Sequence, residues 1–233
     1  FYGLRALGIS VEGGKYYWFR KKQLRGARLL LDEASVTATE NVLMAATLAQ
    51  GTTTIFNAAC EPHVQDLCVL LNKMGANIEG LGTNSLKIEG VEQLRGATHT
   101  VGPDYIEMGS FIAASAATGG ELVIALPARD REVPPTRDMT RPSWAGSSDP
   151  ASPLDIIERS FEKLGVSLKA EDDHMILPAR QKLRVQRDVG QAIPKIEDGP
   201  WPAFPSDLMS VAIVLASQAK GTILFFEKMF ESR

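Results

Sequence analysis

Leu71-Asn-Lys-Met-Gly-Ala-Asn-Ile-Glu79 is the middle of three versions of one pattern, flanked by Leu4-Arg-Ala-Leu-Gly-Ile-Ser-Val-Glu12 and Phe161-Glu-Lys-Leu-Gly-Val-Ser-Leu-Lys169. In each, an amphipathic helix reaches a glycine (Gly8, Gly75 or Gly165), and alternating apolar and polar residues follow it. A glycine there accepts the left-handed conformation that stops a helix, and the alternation is that of a strand with one buried face. A recurring helix-stop-strand unit predicts a fold built from repeats.

Working outward, a second landmark recurs as Ala49-Gln-Gly-Thr-Thr-Thr-Ile55, Thr118-Gly-Gly-Glu-Leu-Val-Ile124 and Ala219-Lys-Gly-Thr-Ile-Leu-Phe225, a helix passing through a tight turn into a strand. Gly8 and Gly75 are 67 residues apart, whereas Gly75 and Gly165 are 90 apart. The excess falls at about 128–152, where Pro134, Pro135, Pro142 and Pro150 and many polar residues leave neither helical nor strand period. That composition predicts an irregular, exposed inserted loop. Helix 62–74 puts Val64, Leu67, Cys68, Leu71 and Met74 on one face and covers something. Segments 41–49, 108–117 and 208–219 are apolar or small nearly all round, which predicts helices buried on every side among short strands such as 27–31 and 86–88. Buried helices walled by sheet invert the usual α/β layering.

The chain has 233 residues, 44% hydrophobic and 23% charged, proportions that suit one large or two small globular domains. Its 25 basic and 28 acidic residues are scattered and give a net charge of -3, so no basic stretch points to nucleic acid or an anionic membrane. No apolar run is long enough for a membrane span and the first ten residues lack a signal pattern, so a cytoplasmic protein is expected. The chain opens on Phe1 rather than Met and stops at Arg233 just after an apolar run, from which natural sequence is expected to be missing at both ends.

Ser35-Val-Thr-Ala-Thr-Glu-Asn41, Ala49-Gln-Gly-Thr-Thr53, Asn57-Ala-Ala-Cys-Glu-Pro62, Ile88-Glu-Gly-Val-Glu-Gln-Leu94, Pro202-Ala-Phe-Pro-Ser-Asp207 and Phe230-Glu-Ser-Arg233 occur in that order. Together they resemble the UDP-N-acetylglucosamine enolpyruvyl transferase family of peptidoglycan synthesis, along nearly the whole chain except 128–152. The resemblance implies the α/β class and, within it, the inside-out α/β barrel of enolpyruvyl transferases, built from repeated βαβαββ units with buried helices. Residues 1–102 would be part of the first such domain, and 103–233, with the inserted loop, part of the second. The implied reaction moves the enolpyruvyl group of phosphoenolpyruvate to the 3-hydroxyl of UDP-N-acetylglucosamine and releases phosphate. It uses no metal or organic cofactor, in a monomeric protein with no nucleic-acid or membrane partner.

Residue by residue, the resemblance assigns Glu33, Ala34, Ser35, Val36 and Thr37 to the uridine diphosphate end of the substrate. A helix N-terminus offers unpaired N–H groups and a positive dipole end to phosphate. The plain alternative is that Ser35 or Thr37 only caps the helix. Thr37 stands where the family usually has Gly, and Glu33 where a basic residue is common. Ser206 and Asp207 match substrate-binding positions, and Asp207 matches the carboxylate that takes the proton of the sugar hydroxyl, work that needs an ionised acceptor within reach. Without the family, Asp207 reads as a cap. Met229 and Phe230 match positions beside the nucleotide and sugar. Arg233 matches a catalytic arginine at the phosphoenolpyruvate end, where a planar guanidinium can donate two parallel hydrogen bonds, although by itself it reads as a solvated terminal residue.

The family's reactive cysteine lies upstream of this sequence, so Cys60 and Cys68 are expected to be structural and reduced. His63, His99 and His174 lack metal spacing and are expected on the surface or in strands. Asp104 and Glu107 open helix 108–117 and read as caps. Three other functions stay open: an inactive nucleotide-binding homologue, an enolpyruvyl transferase for another nucleotide, and the sister enzyme acting on shikimate 3-phosphate.

Overall fold

A computed structural model describes residues 1–21, 23–126, 153–171 and 174–230. The chain divides into two compact units, Phe1–Gly102 and a second beginning at Pro103. The expected inserted loop at 128–152 lies outside the described residues.

The first unit opens with helix α1 (Tyr2–Ala6) and the antiparallel hairpin β1 (Ile9–Glu12) and β2 (Trp18–Lys21), Val11 facing Phe19. Then come β3 (Arg28–Leu30), α2 (Val36–Ala46), β4 (Thr52–Phe56), α3 (Pro62–Lys73), β5 (Asn77–Glu79) and β6 (Ser85–Glu89), a complete βαβαββ unit. Its four strands form one sheet in the order β3-β4-β6-β5, with β3 parallel to β4 and the other pairs antiparallel. Strand residues alternate as the pleat requires, so Thr53 and Ile55 of β4 and Leu86 and Ile88 of β6 go inward together. α3 turns Val64, Cys68 and Leu71 to the core, as the helical spacing predicts.

The second unit repeats these parts. α4 (Tyr105–Thr118) leads to β7 (Leu122–Ala125), α5 (Pro153–Glu162), β8 (Lys169–Glu171) and β9 (His174–Leu177). The sheet order β7-β9-β8 has the same antiparallel pairings as β4-β6-β5. β10 (Lys195–Glu197), a 3-10 turn (Ser206–Leu208), α6 (Met209–Ser217) and β11 (Leu224–Phe226) follow, and β10 pairs parallel with β11 as β3 does with β4. Its core centres on Ile112, Ile157, Phe161, Leu164, Leu208 and Leu215, each fully buried. Removing such side chains from water contributes about 1.5–3 kcal/mol each.

Gly8, Gly75 and Gly165 have φ of 91°, 101° and 90°, the left-handed stop read from the repeat. In the second landmark the left-handed residue of the middle copy is Gly119 at φ 74°, which caps α4, one position before the aligned Gly120.

One expectation needs correction. The helices at 41–49, 108–117 and 208–219 form, but none is buried on every side. Met44 and Leu48 are each 45% exposed, Phe111 56%, Ile213 49% and Val214 62%. A helix is covered all round only where neighbours surround it, and the described elements of each unit pack against one side alone. Among the described residues the strands form four separate sheets without a closed barrel. The fold seen is mixed α/β with repeated helix and strand units.

Candidate functional site

In the first unit β3 ends at Leu30 and α2 begins at Val36, and the loop between them together with the first turn of α2 carries the residues singled out for a diphosphate. Ser35 is the N-cap: its extended backbone (φ -77°, ψ 125°) turns the chain into the helix, and its Oγ accepts the Ala38 N–H at 3.3 Å. Thr37 Oγ1 lies 3.5 Å from Ser35 Oγ, and the Asn41 side chain donates to the Thr37 carbonyl at 2.7 Å. The cap reading of Ser35 therefore holds, and it leaves the hydroxyl with further lone-pair capacity. One turn on, Thr39 is fully buried, and its Oγ1 accepts the Ala59 N–H at 2.9 Å, which fastens the first turn of α2 to the loop after β4.

A cavity of about 540 Å³ opens at this helix start. Glu33, Ser35 and Thr37 line it, whereas Ala34 and Val36 do not. The sequence did not single out Asp32, Asn41 or Phe19, which line it as well. Asn41 sits one turn after Thr37, a helical spacing that could have flagged it. Phe19 arrives from the hairpin, and nothing local in the sequence relates it to Ser35. Asp32 and Glu33 make the wall acidic, and among the described residues that line the cavity there is no Lys or Arg.

The second unit holds the other candidates. Phe204, 4% exposed and 6.1 Å ring to ring from Phe161, anchors the segment that leads to Ser206 and Asp207. Upstream, Trp201 joins Pro202 through a cis peptide and packs edge-on against Tyr105 at 5.7 Å. Ser206 and Asp207 form the 3-10 turn before α6, Ser206 half-buried and Asp207 exposed. Met229 and Phe230 follow β11, and the Phe230 N–H donates to Glu227 Oε1 at 3.2 Å. Arg233 lies outside the described residues.

The remaining sequence candidates are placed as follows. Asp104 caps α4, its Oδ1 accepting the Ile106 and Glu107 N–H groups at 2.8 and 3.2 Å. Cys68 is 1% exposed, and burial pushes its thiol up to about 12. Burial, reinforced by Glu61, also raises Cys60, so neither cysteine is an activated nucleophile. His174 lies in β9. His99 corrects the expectation of a surface or strand residue. Its ring joins Asp66 Oδ1 at 3.0 Å and Lys73 Nζ at 3.2 Å, and Asp66 Oδ2 accepts the Gly102 N–H at 3.3 Å. With its side chain only 7% exposed, His99 clasps the end of the first unit to α3.

The family model described as EPSP synthase (3-phosphoshikimate 1-carboxyvinyltransferase) matches residues 1–129. Among curated proteins the chain is 48% identical over 235 residues to the UDP-N-acetylglucosamine 1-carboxyvinyltransferase of Borrelia garinii subsp. bavariensis, covering all of this chain and 50% of that protein. The protein of that name from Treponema denticola is 49% identical with the same coverage, and that of Bacteroides thetaiotaomicron 44% identical over 236 residues, covering 49% of its length. The chain thus spans about half the length of the curated relatives it matches. Among solved structures it is similar to the enolpyruvyl transferase NikO from Streptomyces tendae, with a TM-score of 0.76 at 20% identity over 99% of this chain and 51% of that one. The EPSP synthase of Acinetobacter baumannii follows with a TM-score of 0.54 at 18% identity, over 96% of this chain and 46% of that one. At such identities the likeness speaks for the fold alone. With its repeated α/β units and a family match over more than half its length, the chain belongs to the EPSP synthase (3-phosphoshikimate 1-carboxyvinyltransferase) family.

Proposed function

We propose that the chain is part of a UDP-N-acetylglucosamine 1-carboxyvinyltransferase, which moves the enolpyruvyl group of phosphoenolpyruvate to the sugar 3-hydroxyl with release of phosphate, in peptidoglycan synthesis. The observation that carries this reading is identity of 43–49% along the whole chain to relatives of that name, which favours the nucleotide sugar over shikimate 3-phosphate. The inside-out barrel belongs to this reading too: 1–102 and 103–233 would each be part of one such domain, completed by the rest of a longer protein. The protein would act in the cytoplasm as a monomer, without metal or organic cofactor.

In this mechanism the cavity at Glu33, Ser35 and Thr37 takes the uridine diphosphate end, with Ala34 and Val36 contributing backbone. The N-terminus of α2 turns its N–H groups and dipole toward the phosphates. Ser206, Met229 and Phe230 border the sugar and nucleotide. Asp207, exposed just before α6, accepts the 3-hydroxyl proton as that oxygen bonds to the enolpyruvyl carbon. By the family resemblance Arg233 is assigned to the carboxylate and phosphate of phosphoenolpyruvate, where a guanidinium would offset charge that builds as phosphate leaves.

A second reading, a transferase for another nucleotide or an inactive binder, draws on the acidic wall of Asp32 and Glu33 and on Thr37 in place of Gly. Calorimetric titration of the chain with UDP-N-acetylglucosamine, UDP and shikimate 3-phosphate separates these. The expected result is weak binding of the first two, none of the third, and no phosphate release by the isolated chain. Binding of shikimate 3-phosphate alone would overturn the proposal.

A further inference from the structure

β10 and β11 run parallel and end level, Glu197 opposite Phe226, and the segments that leave them carry the second unit's candidate residues. After β10 come Asp198 and the run to Asp207; after β11 come Glu227 and the run to Phe230. Asp198 is the junction. Its N–H donates to the Phe226 carbonyl at 3.3 Å, its Oδ1 accepts the Lys228 N–H at 2.6 Å, and it forms a bridge with Phe204, whose carbonyl accepts the Gly199 N–H at 3.3 Å. Asp198 is only 2% exposed. Across from it, Glu227 Oε1 accepts the Phe230 N–H, so each carboxyl spends one oxygen on the same short segment.

The second oxygens tell more. Asp198 Oδ2 and Glu227 Oε2 are both buried and neither has a hydrogen-bond donor among the described residues. The two carboxyls nonetheless lie within hydrogen-bonding reach of each other. Two bare carboxylates so placed, shielded from water, repel, and one proton between them removes both the repulsion and the unmet acceptors. The nearby cations do not serve: Lys195 and Lys228 are engaged with Glu197 at 3.0 and 2.9 Å.

We propose that Asp198 and Glu227 share one proton between Oδ2 and Oε2 and act as a pair of positioning residues, holding 228–230 against the segment that leads to Asp207. Their part in the site rests on the transferase reading; the shared proton does not. In keeping with it, the Glu227 carboxyl is held above its ordinary range, first by its hydrogen bond to Asp198 and then by burial. Because the folded state favours the protonated pair, this contribution is complete below the ordinary glutamate range and fades as pH rises through the raised value.

A shared proton makes an unusual prediction about amides. In Asp198→Asn the amide oxygen still accepts the Lys228 N–H while its NH2 donates to Glu227; Glu227→Gln works the same way from the other side. Each single variant should change the unfolding equilibrium constant less than about tenfold, whereas Asp198→Asn with Glu227→Gln sets donor against donor and should cost at least about tenfold more than the product of the singles. Carboxyl carbon NMR of the chain should show Glu227 titrating above the ordinary range in wild type and returning to or below it in Asp198→Asn. Amide shifts of Lys228, Phe230 and Asp207 should be kept in the singles. An ordinary Glu227 titration indifferent to Asp198→Asn would overturn the proposal, as would additive variants or a melting temperature that responds to chelator. If the double variant fails to fold, the titration of the singles still decides. If wild type fails to bind UDP-N-acetylglucosamine, the transferase reading falls while the titration judges the pair.

Discussion

The hydrogen bond from the Ala59 N–H to Thr39 Oγ1 offers a direct measure of what holds the candidate helix start in place. Thr39 is fully buried and Ala59 only 2% exposed, so solvent cannot replace the acceptor if it is lost. Thr39→Val keeps the branched shape and removes the oxygen, leaving a buried N–H unpaired at a cost of about 1–3 kcal/mol. Thr39→Ser keeps the oxygen and removes one methyl, worth roughly 0.8 kcal/mol plus whatever cavity remains. Against a total stability of about 5–15 kcal/mol, a 2 kcal/mol loss should lower the melting temperature of a unit of this size by about 8–16 °C. Urea unfolding of the chain and both variants supplies the numbers, with an unchanged slope showing that the change lies in the folded state. A Thr39→Val chain as stable as wild type to within about 0.5 kcal/mol, or more stable than Thr39→Ser, would refute the reasoning.

Other expectations concern chemistry. In a full-length protein containing this chain, Asp207→Asn should lower kcat about 100-fold or more while sparing nucleotide binding, because the amide cannot take the hydroxyl proton; a loss below about tenfold in steady-state phosphate release would make Asp207 a helix residue only. Glu33→Lys should tighten UDP binding about fivefold at low ionic strength, from pair terms of about 0.5 kcal/mol at roughly 8 Å in water reduced by screening, and the gain should shrink as salt rises. Titration calorimetry at two salt concentrations checks this. Cys68, raised to about 12 by burial, should resist thiol reagents at pH 8 and react only on unfolding. By the same linkage, its contribution to stability is present below the ordinary thiol range and is lost as pH climbs from there toward 12, which a mass-resolved labelling series across denaturant and pH can follow.

What the sequence determined by itself is periodic or local. Gly8, Gly75 and Gly165 announce helix stops because a left-handed residue is a property of the chain at one point, and all three adopt it. The alternation after Gly75, in 77–79, and the helical spacing of Val64, Cys68 and Leu71 likewise name the faces that become buried. Ser35 reads as a cap for the same reason: its partner, the Ala38 N–H, is three residues away. What tertiary structure alone decided depends on residues distant in sequence. The apolar composition of the helices at 41–49, 108–117 and 208–219 suggested burial all round, yet Met44, Phe111 and Val214 stay exposed, since exposure depends on which elements arrive alongside. His99 read as a surface or strand residue, and only the fold brings Asp66, 33 positions away, within 3.0 Å of it. Asp198 and Glu227 carry no motif. Only the level ends of two parallel strands bring them together, because strand pairing sets a register between segments and no single segment encodes it.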